Sequence, residues 1–230
     1  MLTLISATRL SLQDFQNQSL LGRCLPRLGQ FQPLALRLSH NNQEPLGQVY
    51  NRAIERAKPD DVLVFVHDDV HIDDWMLAQR LDDALQQFDV VGVVGNRRVV
   101  KGQLAWYQRP ANATGTEHVW DSENLSGTIC HGPNPQSGRL SLYGPAPSAV
   151  RLLDGVLLAA RAASLQASGV RFDPQLAFHF YDLDFCLSAH QAGLRLGTWP
   201  LAITHQSGGD SILSAAWQNT RPLFEKKWWA

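Results

Sequence analysis

Hydrophobic residues in the first hundred positions form short runs that alternate with longer amphipathic segments. The run VLVFV at Val62–Val66 is apolar throughout, which is typical of a strand buried on both faces of a sheet. Residues 46–57 (LGQVYNRAIERA) carry their apolar side chains on one helical face. The same two patterns predict strands at residues 2–7, 34–38 and 90–94 and a helix at residues 75–88. Strands that alternate with helices predict βαβ units, so we expect an α/β domain with an open, mostly parallel sheet flanked by helices.

The alternation stops between about residues 100 and 150, where eleven glycines and prolines interrupt every periodic pattern. A segment of this length without regular structure is usually functional or disordered, so we predict a loop-rich lid here. Beyond it, the chain predicts a strand at 155–161, a helix that ends at Gly169, and a helix over 181–192 followed by Gly193. A strand at 194–199 and a helix within 211–229 complete a single predicted domain over residues 1–230.

Composition and charge narrow the class of protein. Of the 230 residues, 44% are hydrophobic and 18% are charged, which excludes general disorder. Twenty basic and twenty-one acidic residues give a net charge of −1, without the basic excess expected of a nucleic-acid-binding protein. The three cysteines lack CxxC spacing, which predicts buried thiols in a reducing compartment. The sequence shows no secretory signal and no run of about 20 apolar residues, so we expect a cytoplasmic protein without a transmembrane segment.

Three polar residues, His67, Asp68 and Asp69, directly follow the buried strand Val62–Val66. In open α/β sheets, ligands bind beyond the carboxyl ends of the strands, and adjacent carboxylates there can hold a divalent cation on a diphosphate. The alternative is that the two aspartates only form a turn and cap the next element. His67 and His71 have the spacing of zinc ligands on a helix, but they follow a strand, so the helical geometry of such a site is absent.

Carboxylate and imidazole side chains also lie at three later boundaries. Asp182 and Asp184 fall at a predicted helix start, where capping and the helix dipole favour carboxylates. Because they are two residues apart, they do not share a helix face, so we expect them to have different roles. Asp154 precedes a predicted strand, and an ordinary Asp-Gly turn is its alternative explanation. His205 follows a predicted strand and precedes a Gly-Gly pair, and a structural role is the alternative for this histidine.

The order and spacing of these motifs resemble the family 2 glycosyltransferases of the GT-A fold. The resemblance is greatest to the branch related to the StrF domain of streptomycin biosynthesis. The motifs that carry it are YNRAIERAKPDDVLVFVHDDVHIDDW, DVVGVVG, LLDGVLLAARAA, FHFYDLDFCLSAHQAGLRLG and THQSGG. The resemblance extends from Leu2 to the closing WQNTRPLFEKKWW and is weakest between about residues 100 and 150. It implies a nucleotide-binding half at 1–99, the loop-rich lid at 100–150, and an acceptor and catalytic half at 151–230.

The resemblance also implies roles for individual residues. Asp69 matches the last aspartate of the DXD-type motif and would ligate Mg²⁺ or Mn²⁺ on the donor diphosphate. His205 matches a late metal ligand, Asp182 the catalytic base and Asp154 a residue near the donor sugar. His67 stands where the family usually has its first aspartate. The remaining implied donor contacts are Asp68, near the ribose or phosphates, and Ser6, Thr8 and Asn41, near the nucleobase.

These roles predict a metal-dependent, inverting glycosyltransferase that moves a hexosyl group from a nucleoside-diphosphate sugar to a saccharide or other hydroxyl acceptor. Asp182 would take the acceptor proton, and the cation would stabilise the departing diphosphate. A mixed histidine and carboxylate ligand set favours Mn²⁺ over Mg²⁺. Asp69 and His205 would then lie within about 5 Å of each other.

Two alternatives remain open at this point. One is a nucleotidyltransferase, which would be expected to carry a Gly-rich basic loop after the first strand, where this chain has ATRLSLQDF. The other is a non-catalytic, GT-A-like protein that only binds nucleotide sugars. Turnover with a donor and an acceptor would separate this second alternative from an enzyme.

Overall fold

Two β-sheets, a short two-stranded pair and the surrounding helices make up the computed structural model, which describes residues 1–112, 115, 117–206 and 214–230. In chain order, the strands are β1 (Leu2–Ala7), β2 (Leu34–Ser39), β3 (Val62–Val66), β4 (Val70–Ile72), β5 (Val90–Gly92), β6 (Val94–Asn96), β7 (Gln108–Pro110), β8 (His118–Trp120), β9 (Leu125–His131), β10 (Arg139–Gly144), β11 (Ser148–Val150), β12 (Leu152–Leu153), β13 (Leu157–Arg161), β14 (Leu196–Thr198) and β15 (Ile203–His205). The helices are α1 (Leu12–Gln18), α2 (Leu20–Phe31), α3 (Leu46–Glu55), α4 (Leu77–Gln87), α5 (Ala162–Ser168), α6 (Tyr181–Gln191) and α7 (Ala215–Trp228), with a 3₁₀ turn at Ser122–Asn124.

The larger sheet has seven strands in the order β11-β14-β5-β13-β3-β1-β2. The predicted α/β domain with a sheet flanked by helices is confirmed, but the prediction of a mostly parallel sheet is wrong. Three neighbouring pairs are parallel, namely β1 with β2, β1 with β3 and β5 with β14, and the other three pairs are antiparallel. Residues 97–156 return the chain to the carboxyl end of β3, so β13 enters the sheet there and runs in the opposite direction.

The direction of β13 determines which residues meet at this edge of the sheet. Leu157, the first residue of β13, pairs with Val66, the last residue of β3. The main-chain N–H of His67 donates to the carbonyl oxygen of Val156 at 3.2 Å. Residues that precede β13 and residues that follow β3 therefore lie side by side, although they are far apart in the chain.

The smaller sheet has the order β12-β6-β9-β15-β4, with β10 paired to β9. Its two longest strands, β9 and β10, come from the segment between residues 100 and 150. Where the sequence predicts a loop-rich lid, the structure thus has β7 to β11, so the predicted lack of regular structure is wrong. These strands have only three to seven residues, and the glycines and prolines lie mainly in the turns between them. The single strand predicted at 90–94 is divided as well, since β5 joins the larger sheet and β6 the smaller one.

An aromatic core supports the start of α6. The ring of Tyr50 lies 4.9 Å from that of Phe65 and 5.1 Å from that of Phe172, and Phe172 stacks on Phe185 at 4.2 Å. All four side chains are fully buried, and the burial of each of the three phenylalanines stabilises the fold by about 1.5–3 kcal/mol. Tyr181, the first residue of α6, packs against the same cluster with its ring 6.1 Å from that of Tyr50. The core therefore holds the amino end of α6 in a fixed position against the larger sheet.

Several smaller predictions can be compared with the structure. Helix α5 ends before Gly169, which adopts the left-handed conformation at φ 70°, as predicted. Cys24 and Cys186 are buried free thiols and Cys130 is a half-buried one. Across the part of the chain that the structure describes, no helix combines the length and the apolar character that a membrane span requires.

Candidate active site

Four chain segments bring polar side chains to one cavity of about 650 Å³ at the edge where β3 ends. They are the residues after β3, the residues before β13, the amino end of α6 and the end of β15. His67, Asp69, Asp154, Asp182 and His205 all line this cavity. The structure therefore brings together the four residues to which the resemblance assigns a role here and His67, whose role the resemblance leaves open.

His67, Asp69 and His205 form a compact cluster whose potential ligand atoms lie within 4.8 Å of one another. Nε2 of His205 is 3.3 Å from Oδ2 of Asp69, and Nδ1 of His67 is 4.0 Å from Oδ1 of Asp69. The Oδ1 atom of Asp69 is buried and has no hydrogen-bond partner among the described residues. Two imidazoles and a carboxylate with a free oxygen match the ligands that a divalent transition metal takes, so these residues fit such an ion.

The electrostatics of the cluster favour an ionised carboxylate. Burial alone would raise the pKa of Asp69, but the hydrogen bond and charge of His205 outweigh it and lower the pKa below its usual value. Burial opposes protonation of His205, yet its contact with Asp69 raises the pKa of this imidazole above its usual value. Burial lowers the pKa of His67, and the charge of Asp69 only partly offsets that effect. Asp69 is therefore an anion that lies between two imidazoles.

Asp182 and Asp154 form a second acidic group on the same cavity. Oδ2 of Asp182 accepts a hydrogen bond from the N–H of Gly155 at 3.0 Å, and Oδ1 accepts one from the N–H of Leu183 at 2.9 Å. Oδ2 of Asp154 accepts a hydrogen bond from Nε1 of Trp106 at 2.7 Å. Burial, reinforced by the negative charge of Asp154, raises the pKa of Asp182 to about 7. A carboxyl group with this pKa exchanges its proton readily near neutral pH.

Asp184 has a separate role from Asp182, as expected from their spacing. It is fully buried, and Oδ1 accepts hydrogen bonds from Nε1 of Trp228 at 2.8 Å and from Nζ of Lys227 at 2.7 Å. Lys227 also pairs with Asp173 at 2.8 Å. Asp184 therefore fastens α7 to α6 and does not line the cavity.

A second cavity of about 730 Å³ lies beside the first. Thr8 and Asp68 line it, in keeping with the donor contacts that the resemblance implies. Ser6 is instead fully buried, and its hydroxyl has no hydrogen-bond partner among the described residues. Asn41 is not part of the cavity wall, whereas its neighbour Asn42 is. Of these four predicted contacts, the structure thus brings only Thr8 and Asp68 to the cavity surface.

Phe178 lines both cavities and therefore forms part of the boundary between them. Its ring is 53% exposed and stacks on the imidazole of His67, with ring centroids 5.9 Å apart and an interplanar angle of 27°. The two cavities are consequently adjoining compartments that meet at Phe178, next to His67.

An aromatic wall, made of Trp106, Tyr107, Trp120 and Tyr143, lines the first cavity and adjoins Asp154 through the hydrogen bond from Trp106. Tyr107 lies 4.8 Å from Trp120, and the ring of Trp120 is nearly parallel to that of Tyr143 at 6.3 Å. Trp120 is 56% exposed, which is a large fraction for a tryptophan. All four residues come from the segment between 100 and 150, and none of them was predicted from the sequence. The adjacent Trp106 and Tyr107 in a glycine-rich segment were the available signal.

A mixed α/β domain that gathers imidazole and carboxylate side chains in one cavity beyond its strand ends has the general arrangement of an α/β enzyme site. The chain belongs to the glycosyltransferase-like family, whose model matches residues 36–228. A search of curated proteins finds no match.

Solved structures resemble this chain at low sequence identity, so they bear on the fold alone. TarS from S. aureus is 14% identical over 98% of this chain and 39% of its own, with a TM-score of 0.50. A197 from STIV is 11% identical over 86% of this chain and 81% of its own, with a TM-score of 0.49. The catalytic domain of Drosophila β1,4-galactosyltransferase 7, solved with xylobiose, is 12% identical over 86% and 63%, with a TM-score of 0.46. The chain thus spans well under two thirds of TarS.

Proposed function

We propose that this glycosyltransferase is metal-dependent and inverting, and that it moves a hexosyl group from a nucleoside-diphosphate sugar to a hydroxyl group of a saccharide. One observation carries the proposal. A histidine and carboxylate cluster and a carboxyl group with a pKa of about 7 line the same cavity. Transfer with inversion requires these two elements, a group that neutralises the departing diphosphate and a base on the opposite side of the reacting carbon.

Asp182 is the proposed base. Because its pKa is about 7, a large fraction of the side chain is ionised at neutral pH and can still accept a proton effectively. The N–H groups of Gly155 and Leu183 orient the carboxylate, so it does not have to reorganise when the acceptor hydroxyl gives up its proton. Two other side chains on this cavity, His131 and His179, have pKa values that burial lowers, which makes them weaker proton acceptors.

His67, Asp69 and His205 are the proposed metal ligands. A divalent cation held there would stabilise the negative charge of the leaving diphosphate as a Lewis acid. Two of the three ligands are imidazoles, which suit Mn²⁺ and other transition metals better than Mg²⁺. His67 thus takes the place of the family's usual first aspartate and supplies a nitrogen ligand instead of an oxygen.

The second cavity is the proposed nucleotide site. Thr8 and Asp68, which line this cavity, would contact the base, ribose or phosphates. Ser6 and Asn41 lie outside that wall and would support it from behind. Ser6 is buried, and the main-chain N–H of Asn41 donates at 2.8 Å to the carbonyl of Leu10, which lines the cavity. Asp154, which accepts a hydrogen bond from an indole N–H, is the proposed contact to the donor sugar.

The aromatic wall is the proposed acceptor site. The C–H groups on one face of a pyranose ring carry slight positive charge, and the face of an aromatic ring carries negative charge. An exposed tryptophan therefore binds a sugar ring and leaves its hydroxyls free to face Asp182. We expect Trp120→Ala to raise the KM for a saccharide acceptor about tenfold, as for the loss of a stacking contact. Trp75→Ala, at an exposed tryptophan outside both cavities, is the matched control.

The test is a panel of nucleoside-diphosphate sugars read by thermal shift with and without Mn²⁺, followed by assays of nucleotide release with saccharide acceptors. We expect at least one donor to raise the melting temperature only in the presence of metal, and Asp69→Asn to abolish that rise. NMR of the product then reports the anomeric configuration. Absence of any donor-dependent shift contradicts the proposal, and metal-dependent binding without turnover favours a non-catalytic binding protein.

Three finer expectations belong to the same proposal. The motif strings favour the branch related to the StrF domain. Residues 100–150, which carry the aromatic wall, would act as a lid that limits donor hydrolysis. The three free thiols are compatible with a cytoplasmic location.

A further inference from the structure

The imidazole of His67 is held from the side that faces away from Asp69. Its Nε2 lies 2.7 Å from the hydroxyl oxygen of Tyr181. The same hydroxyl donates to the carbonyl oxygen of Gly155 at 2.9 Å. A phenol has a single proton, and a carbonyl oxygen can only accept, so the hydroxyl that donates to Gly155 must accept its second hydrogen bond from Nε2 of His67.

This arrangement fixes where His67 carries its proton. With the proton on Nε2, both hydrogen bonds of the Tyr181 hydroxyl are made, and Nδ1 keeps a free lone pair. With the proton on Nδ1, the hydroxyl would have to turn toward Nε2, and the bond to Gly155 would be lost. The Nδ1 proton would gain nothing from Asp69 in return, because Asp69 is 4.0 Å away, beyond hydrogen-bond distance. The Nε2–H tautomer therefore has one more hydrogen bond than its alternative.

The position of Tyr181 is itself tightly determined. The side chain is 2% exposed and packs in the aromatic core beside Tyr50 and Phe172. Gly155 allows the hydroxyl to approach, since a Cβ atom at this position would lie only 2.1 Å from the hydroxyl oxygen. The N–H of Gly155 donates to Asp182, and its carbonyl oxygen accepts from Tyr181. Two adjacent residues of α6 therefore bind both polar main-chain groups of Gly155.

We propose that Tyr181 is a positioning residue that fixes the Nε2–H tautomer of His67 and thereby presents Nδ1 as a ligand between Asp69 and His205. The inference rests on the proposed metal site and extends it. An aspartate has two equivalent oxygens and needs no such partner, whereas a histidine in its place binds a metal only through the nitrogen that lacks the proton. The Tyr181 hydroxyl is therefore what makes a histidine suitable at this position.

The first experiment measures the tautomer in the metal-free protein, by ¹⁵N NMR of labelled histidine at about two pH units above the ordinary histidine pKa. We expect the proton of His67 to reside on Nε2 in the wild type and to be shared between the two nitrogens in Tyr181→Phe. Tyr50→Phe is the matched control, because it removes from the same cluster a buried hydroxyl that has no hydrogen-bond partner among the described residues. It should leave the His67 signals unchanged.

The second experiment measures the dissociation constant for Mn²⁺ by electron paramagnetic resonance. Tyr181→Phe should weaken binding about 10–100-fold, the usual effect of losing a residue that orients a metal ligand, and Tyr50→Phe should not. The variant His67→Asp has no tautomers, so adding Tyr181→Phe to it should leave its Mn²⁺ affinity unchanged. This double variant separates positioning from a general loss of packing.

The outcomes distinguish this inference from the proposed function. A wild-type His67 protonated on Nδ1 would overturn the inference, whether or not the protein binds Mn²⁺. Equal losses of affinity from Tyr181→Phe in the wild-type background and in the His67→Asp background would also overturn it, because the effect would then be structural. A wild type with the proton on Nε2 that binds no Mn²⁺ would overturn the proposed metal site, and with it the ligand role of His67, while the tautomer assignment stands.

Discussion

Replacing Asp182 with asparagine should stabilise the protein at alkaline pH while it removes the base. The pKa of Asp182 lies near 7 in the folded protein against an ordinary value of 3.8. The unfolded chain therefore releases this proton at lower pH than the folded protein, and stability falls as pH rises from about 4 to about 7. Over that range the difference of about three pH units, at about 1.4 kcal/mol each, amounts to roughly 4 kcal/mol.

Asparagine does not ionise, so the variant avoids this loss of stability at high pH. Its side chain can accept only one of the two hydrogen bonds from Gly155 and Leu183, which lowers stability by about 1 kcal/mol at every pH. The stability of Asp182→Asn relative to the wild type should therefore increase by roughly 3 kcal/mol between about pH 5 and about pH 8. Urea unfolding followed by tryptophan fluorescence measures this difference at each pH. Asp83→Asn, on the exposed surface of α4, is the control for removing a carboxylate.

The same variant should lose about 10²–10⁴-fold in transfer rate while it still binds the donor. A group that only caps α6 would give neither the rate loss nor the pH-dependent gain in stability, so the two measurements complement each other. A stability difference that is the same at both pH values would refute the raised pKa. Near-normal turnover would show that another group is the base.

The site and α7 lead to three further predictions. The value of kcat/KM should rise with pH through about 7 as Asp182 ionises. Asp154→Asn should move this rise to lower pH, because it removes a negative charge that raises the pKa of Asp182. Profiles of kcat/KM against pH for the wild type and this variant measure both effects. Dialysis against a chelator should abolish transfer, and Mn²⁺ should restore it better than Mg²⁺ in rate assays. Lys227→Met should lower the free energy of unfolding by about 1–3 kcal/mol, because Asp184 remains buried without its cation. Lys226→Met, at a neighbouring exposed lysine, should leave that free energy unchanged. The urea midpoints of the two variants compare these effects.

Much of the site could be predicted from local sequence because of where strands end. The fully apolar β3 identified a central strand, and the residues that follow such a strand lie at the ligand-binding edge of an α/β sheet. The start of α6 was evident from Asp182 and Asp184 in its first turn, and its end from Gly193. Asp69 and His205, which follow predicted strands, could therefore be expected at this edge, whereas only the family resemblance added Asp154 and Asp182. The structure brings all four to one cavity.

The features that were missed depend on contacts between distant parts of the chain. The direction of β13 follows from the route of the residues between β6 and β13, which local periodicity does not describe. Strands β7, β8 and β11 have only three residues each, too few to show alternation between two faces. The role of His67 depends on Tyr181, which is 114 positions away, and a histidine at a strand end has no spacing pattern that predicts its partner.

Phe178 belongs to both cavities, so neither compartment has a wall entirely of its own. A ligand that moves this ring when it binds in one cavity changes, by some factor, the affinity of the other cavity for its own ligand. Thermodynamic linkage then requires the second ligand to change the affinity of the first by the same factor. Dissociation constants for the binary and ternary complexes should close into one cycle, and Phe178→Ala should bring the coupling factor toward one.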